Sequence, residues 1–408
     1  MKSPRLASLL LVGVAAGAAA ELPMPGAVEL AGQSNAFGFD LYAQLRAAPG
    51  NLVVSPASIS TALAMTWAGA RGPTAAQMKK VLRFEGTPQA VSLASGQLVK
   101  GLTDPARPVV FRVANRLFGE KTFRFETAFL DQTRAAYGAG LEPVDFKAAA
   151  QSARALINGW VESQTEKRIR NLVPPSGVSA DTRLVLVNAI YFLGDWQQPF
   201  LAETTRPAAF HAASAATKDV PTMNQLGVFR LAAAPGLRIL ELPYKGGALS
   251  MLVALPDAVD GLAVVEKGLS AQALTAWTSP LKLQRVRVAL PKFTIDPAES
   301  LSLGDTLAAM GMPLAFDRER ADFTGIANPA DPADRLSIAR VFHKAFVKVD
   351  EKGTEAAAAT AVSMQRAGSA APTERPVEFR ADHPFLFLIR DNATGLVIFL
   401  GRVADPSL

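Results

Sequence analysis

The chain has 408 residues, of which 49% are hydrophobic and 19% charged, with a formal charge of +6. This is a globular composition and excludes a disordered chain. The absence of cysteine excludes disulfide stapling and a cysteine nucleophile, and three histidines (His211, His343, His383) are too few for a zinc site built mainly from His.

The first twenty residues read as a secretory signal peptide. Lys2 and Arg5 form a positive segment, Leu9 to Ala16 an apolar one, and Ala18-Ala19-Ala20 a small-residue cleavage site. Residues 21–34 then read as a short N-terminal extension and 35–408 as one domain. Such a domain needs no staple, because a chain this long buries about three quarters of its surface. The predicted location is secreted, extracellular or periplasmic. Two basic spots, Lys167 to Arg170 and Lys282 to Arg287, read as solvated faces, so no nucleic-acid or membrane partner is expected.

In chain order, Ser55-Pro56 before Ile59, Ala62, Leu63 and Thr66 reads as an N-cap, a first-turn proline and a buried helix face. Val109 to Phe118 is strand-like, and Ala153, Leu156, Ile157, Trp160 and Val161 follow helical spacing. Thr182 to Leu193 is continuous and apolar, the pattern of a strand buried on both faces. Leu237 to Leu242 and Leu249 to Leu255 flank the hairpin signal Lys245-Gly246-Gly247. Arg285 to Ile295 reads as one further strand, and Leu301, Leu307 and Met310 as the inner face of a short helix. Ile338 to Val349 is a strand, and Phe385 to Ile389 pairs with Leu396 to Leu400. Helices early and strands late predict an α+β fold.

Between Val349 and Val377 lies a stretch with two conformational readings. Ala356 to Ala359 would suit a helix, since Ala has the highest helix propensity. Thr354 to Gln365 also alternates: Thr354, Ala356, Ala358, Thr360, Val362 and Met364 share one face, while Glu355, Ala357 and Gln365 share the other. That is the pattern of a half-buried strand. No G-x-S-x-G, H-E-x-x-H, phosphate-binding loop or dinucleotide motif occurs. His343, between Phe342 and Phe346, reads as a buried histidine with satisfied hydrogen bonds rather than a base. No turnover chemistry is expected, although a dispersed hydrolase triad would escape such a search.

Several separated motifs resemble the serpin family, in family order. They include Asn51-Leu-Val-Val-Ser-Pro-Ala-Ser-Ile-Ser, Asn188-Ala-Ile-Tyr-Phe-Leu-Gly-Asp-Trp196 and Leu242-Pro-Tyr-Lys-Gly-Gly. Leu290-Pro-Lys-Phe, His343-Lys-Ala-Phe-Val-Lys-Val-Asp-Glu-Lys-Gly and Phe379-Arg-Ala-Asp-His-Pro-Phe complete the series. The resemblance covers about Asn35 to Pro406 and implies three β-sheets with eight or nine helices.

It also implies an exposed reactive loop at about 351–378. A serine protease would attack this loop as an acyl-enzyme and be trapped when the cut loop inserts into the main sheet. The implied complex is covalent and 1:1, formed by a monomer without cofactor or metal. The implied hinge is Gly353, Thr354, Glu355 and Ala356 to Ala359 (Ala357 and Ala358 included), small residues that can pass between packed strands. Ser55, Ser58, Asn188 and His343 match a polar cluster beneath the sheet, and Lys292, Glu351 and Trp196 a group at its top.

Fourteen residues past Gly353, the family's usual spacing, the cut falls at Ala367–Gly368, suiting an elastase-like pocket. Arg366 instead would suit a trypsin- or subtilisin-like enzyme. After the cut, Gly368 to Glu378 departs from the family's common pattern in being a few residues longer and in carrying Pro372 and Pro376. Two other readings remain open at this point: a non-inhibitory carrier, storage protein or chaperone, and an inhibitor of papain-like cysteine proteases.

Overall fold

A computed structural model describes residues 25–138, 140–213, 217–331, 334–354 and 375–408. The leader 1–20 lies outside the described residues, as do Glu355 to Ala359 of the hinge, Arg366, Ala367 and Gly368.

The chain opens with helix α1 (Pro25–Leu45) and the short strand β1 (Leu52–Val54). Helix α1 begins within the stretch read as an extension, and Ala27, Leu30 and Ala31 are already in the core. Packing therefore starts ahead of Asn35. Helix α2 (Pro56–Ala68) is buried on every side, as a helix without a polar face must be. Its start follows the expected chemistry: the Ser55 hydroxyl accepts from the Ser58 N–H, and Pro56 occupies the first turn. Helices α3 (Gly72–Val81) and α4 (Pro88–Leu102), strand β2 (Val109–Glu120), helix α5 (Thr127–Tyr137), strand β3 (Glu142–Val144) and helix α6 (Phe146–Gln164) follow.

The strand-rich half comprises β4 (Leu184–Asp195), β5 (Arg206–His211), β6 (Thr217–Ala234), β7 (Leu237–Pro243) and β8 (Leu249–Pro256). After helices α7 (Leu262–Gly268) and α8 (Ala271–Thr278) come β9 (Lys282–Pro291), β10 (Phe293–Ile295), β11 (Leu301–Ser302) and helix α9 (Gly304–Ala309). The last strands are β12 (Arg340–Val349), β13 (Gly353–Thr354), β14 (Val377–Arg380), β15 (Phe385–Asp391) and β16 (Val397–Val403).

Two details depart from the sequence reading. The single strand expected from Arg285 to Ile295 is two, because the chain changes sheets at Lys292: β9 pairs with β6 up to Pro291, and β10 pairs with β12 from Phe293. Leu301 sits in β11 and not on a helix; Leu307 is the residue that α9 buries. The β7–β8 hairpin forms as expected, with Gly246 and Gly247 at positive φ.

Among the described residues the strands form two hydrogen-bonded sheets. One has seven strands in the order β10-β12-β13-β4-β2-β3, with β11 beside β12. The other has nine, because β6 carries pairing through from β7 to β5 and β9 and joins the expected second and third sheets. Helix α6 covers one face of the seven-stranded sheet, where Ile157 and Val161 share a buried cluster with Tyr191 and Phe346. Ile59, Leu63, Ile190 and Phe399 belong to the larger core on the opposite face, which joins α2 to both sheets.

Candidate functional site

The seam between β4 and β12, at the centre of the seven-stranded sheet, carries the residues the sequence points to. From Arg340↔Val185 to Phe346↔Tyr191 the two strands are direct parallel partners. Above that they part, and β13 lies between them. Thr354 pairs with Val349 on one side and Gly194 on the other, while Gly353 faces Asp195. The first two hinge residues thus already form a third strand at the top of the seam.

Local contacts explain why these residues can enter. A Cβ on Gly353 would run into the Gly194 carbonyl and come within 2.8 Å of the Asp195 Cα, so only glycine fits. Thr354 is fully buried, and its hydroxyl lies 2.6 Å from the Tyr244 hydroxyl. Burial pushes the Tyr244 phenol above its ordinary range, against a smaller lowering by Thr354, so it stays protonated. Trp196 stacks on Tyr244 with 4.6 Å between centroids. The Trp196 backbone N–H donates to the Lys352 carbonyl at 2.7 Å, and its indole N–H to the Asp350 carbonyl at 3.0 Å.

Lys292 and Glu351 meet at 2.9 Å, and the Thr205 hydroxyl donates to the same carboxylate at 2.8 Å. Burial alone would raise the Glu351 carboxyl. Lys292, the Glu351 backbone N–H and Thr205 outweigh it and hold the group below the usual carboxylate range.

Lower on the seam, the cluster read from sequence is assembled and completely buried. His343 of β12 and Asn188 of β4 are register partners and are joined through His343 Nδ1 and Asn188 Oδ1. The other ring nitrogen, Nε2, accepts from the Ser55 N–H at 3.1 Å. The Ser55 hydroxyl donates to the Ile398 carbonyl at 2.6 Å. Asn188 Nδ2 donates to Ser58 Oγ and Asn115 Oδ1, both at 2.6 Å. With Nε2 accepting, the imidazole is neutral, and burial lowers its pKa to about 3. Among the described residues no hydroxyl hydrogen-bonds to the His343 ring, since that of Ser55 goes to Ile398; His343 is a structural tie between the two strands and the start of α2.

Sequence reasoning missed four participants. Asn115 completes the lower cluster, and its signal was an amide inside a strand, where Asn is depleted. Tyr244 stood in a quoted motif without a role. Thr205 and Phe200, whose N–H donates to the Glu351 carbonyl at 2.8 Å, carry no sequence signal.

The family model described as serpin (serine protease inhibitor) matches residues 32–406. The chain belongs to the serpin family. Among relatives, the leukocyte elastase inhibitor of Equus caballus is 42% identical over 380 residues, which is 91% of this chain and 97% of that one. Among solved structures, uncleaved ovalbumin superposes with a TM-score of 0.83 at 36% identity, covering 92% of this chain and 100% of that one. Human thyroxine-binding globulin, solved in complex with thyroxine, has a TM-score of 0.83 at 28% identity, over 93% and 99% of the two chains. By family this serpin is a protease inhibitor and not an enzyme.

Proposed function

We propose that this serpin is an exported suicide-substrate inhibitor of elastase-type serine proteases, cut at Ala367–Gly368. The observation that carries the reading is β13: Gly353 and Thr354 already occupy the first rung of an inserted strand, hydrogen-bonded on both sides. The protease forms an acyl-enzyme on the loop, the cut frees the loop's downstream end, and insertion continues from that rung. Residues Thr354 to Gln365 supply an alternating strand with small leading side chains. Some twelve residues gaining main-chain hydrogen bonds at about 0.5–1.5 kcal/mol each rival the whole stability of a domain. The uncut state is then metastable, and insertion outruns hydrolysis of the acyl-enzyme.

The elastase assignment draws support from the relatives' names and from the small side chain of Ala367. Arg366 is the alternative bait, for a trypsin- or subtilisin-like enzyme. Export rests on the character of residues 1–20, and a mature N-terminus near Glu21 in secreted material is its check.

Elastase, trypsin and subtilisin should each be mixed with the purified protein and the products run on a denaturing gel. The expected result is an SDS-resistant band at the summed mass with elastase, accompanied by a released peptide beginning at Gly368. A peptide beginning at Ala367 moves the bait to Arg366. Clean cleavage without such a band, with every serine protease and with papain, rejects inhibition in favour of a carrier role.

A further inference from the structure

The segment Lys282 to Arg287 reads from sequence as a solvated basic face, but it is interleaved with exposed aliphatic side chains. Leu226, Val228 and Arg230 project to solvent from β6, and Leu283, Arg285 and Arg287 from β9. The register sets them directly opposite each other, as Leu226–Arg287, Val228–Arg285 and Arg230–Leu283. Side chains opposed in this way lie about 4.5–5.5 Å apart, so the six make one continuous patch. Leu226, Val228 and Leu283 are 44%, 53% and 67% exposed. Arg287 shares Glu378 at 3.0 Å and Arg230 lies 3.9 Å from Glu241, while Arg285 has no ion pair among the described residues. The patch is therefore both apolar and net positive.

Its position is as informative as its composition. The chain leading into the reactive loop is tied to Phe200 and Thr205 through Glu351. That same segment is fastened onto β6 by Gln198 to the Val228 carbonyl at 3.5 Å and by Thr204 to the Asn224 carbonyl at 2.7 Å. The chain leaving the loop becomes β14, whose Val377 and Glu378 pair with Val286 and Arg287 of β9. The exposed β6–β9 face thus lies between the two stems of the loop. An enzyme seated on the loop comes down beside it.

We propose that this face is a second docking surface for the target protease, one that takes an acidic, apolar-flanked patch beside the protease's cleft. The inference rests on the inhibitory reading above. Arginine with aliphatic neighbours suits a partner carrying carboxylates, and complementary charge acts mainly on the rate of encounter. The face would then select among proteases of one specificity by their surface charge.

The test uses an Ala367→Arg background, so that an anionic and a cationic trypsin, alike in chemistry and opposite in surface charge, both engage the loop. The expected result is faster association with the anionic enzyme at low salt, by about tenfold, the lower end of electrostatic steering. Arg285→Glu, which reverses the charge of the arginine without an ion pair among the described residues, should reduce that preference severalfold without shifting thermal unfolding. Leu226→Ser with Val228→Ser should slow the anionic enzyme while leaving the salt dependence unchanged. Equal rates for the two trypsins, insensitive to the arginine change, would overturn the proposal. So would an acceleration by heparin that is lost in the arginine variant while the rates without heparin stay the same, since that assigns the face to a polyanion. SDS-resistant complexes throughout show that inhibition itself is intact; if none forms, the inhibitory reading fails and the docking surface falls with it.

Discussion

The upper and lower parts of the β4–β12 seam are built from the same two strands and end in opposite states. At the top, Gly194, Gly353 and Thr354 present little side chain, and a third strand has already entered. Three residues below Thr354's partner Val349, the strands are direct partners again, at Phe346↔Tyr191. Beneath that, His343, Asn188, Asn115, Ser55 and Ser58 interlock across the seam and onto the start of α2. On the proposed insertion, every ladder hydrogen bond lost between β4 and β12 is regained on both edges of the incoming strand. Backbone pairing therefore favours opening along the whole seam. What differs is the side chains, so the lower cluster sets the resistance and the upper glycines set the point where opening begins.

The largest effect should come from closing the top. Gly353→Ala places a methyl group against the β4 backbone, an overlap that costs about 1–3 kcal/mol in a packed interior. The first rung is then denied to the strand before the cut and after it. On a gel with elastase we expect cleaved inhibitor and free protease in place of the SDS-resistant band, at an unchanged initial cleavage rate. A normal yield of complex would show that insertion does not need β13 as its start.

A smaller effect should follow from loosening the bottom. His343 takes up a proton near pH 3 when folded and near 6.5 when unfolded, so between these values the unfolded chain binds more protons. Its contribution is complete above pH 6.5 and declines as pH falls, by about 1.4 kcal/mol per unit, or about 2 kcal/mol at pH 5. Denaturant unfolding of the uncut protein at pH 7 and pH 5 measures this loss, and His343→Gln should flatten the slope by that amount. An identical slope in the variant would mean that other groups dominate the acid response and that the lower cluster is not the sensitive tie.

The two ends of the seam were unequally legible in the sequence, for a physical reason. Long apolar runs such as Leu184 to Leu193 declare buried strands because both faces must be hydrophobic, and each predicted end fell within a few residues. Gly353 and Thr354 were visible as a small, alternating start, and Ser55 as a cap, since both depend on local chemistry. Asn115, Tyr244 and Thr205 matter through partners far away in the chain, and nothing near them in the sequence marks those partners. The same holds for the nine-stranded sheet. Its continuity depends on the 18-residue strand β6, whose polar and apolar residues do not keep a clean alternation.

The smallest effect concerns the ion pair at the top, and it separates two accounts of what holds β13 in place. If the Lys292–Glu351 charge pair held it, Lys292→Ala would release the hinge. The contacts argue otherwise. Main-chain bonds from Trp196 and Phe200 fix residues 350–352, the Trp196–Tyr244 stack closes the layer beneath, and Thr205 still serves the carboxylate. Lys292 is also 37% exposed, so water screens the attraction. The expected loss is about 0–1 kcal/mol, smaller still in high salt. Because Glu351 is held below its ordinary range, its stabilising part is present at neutral pH and lost as pH falls through that lowered value. Thermal unfolding at low and high salt tests this. A loss well above 1 kcal/mol that salt does not diminish would transfer the role from the aromatic stack to the charges.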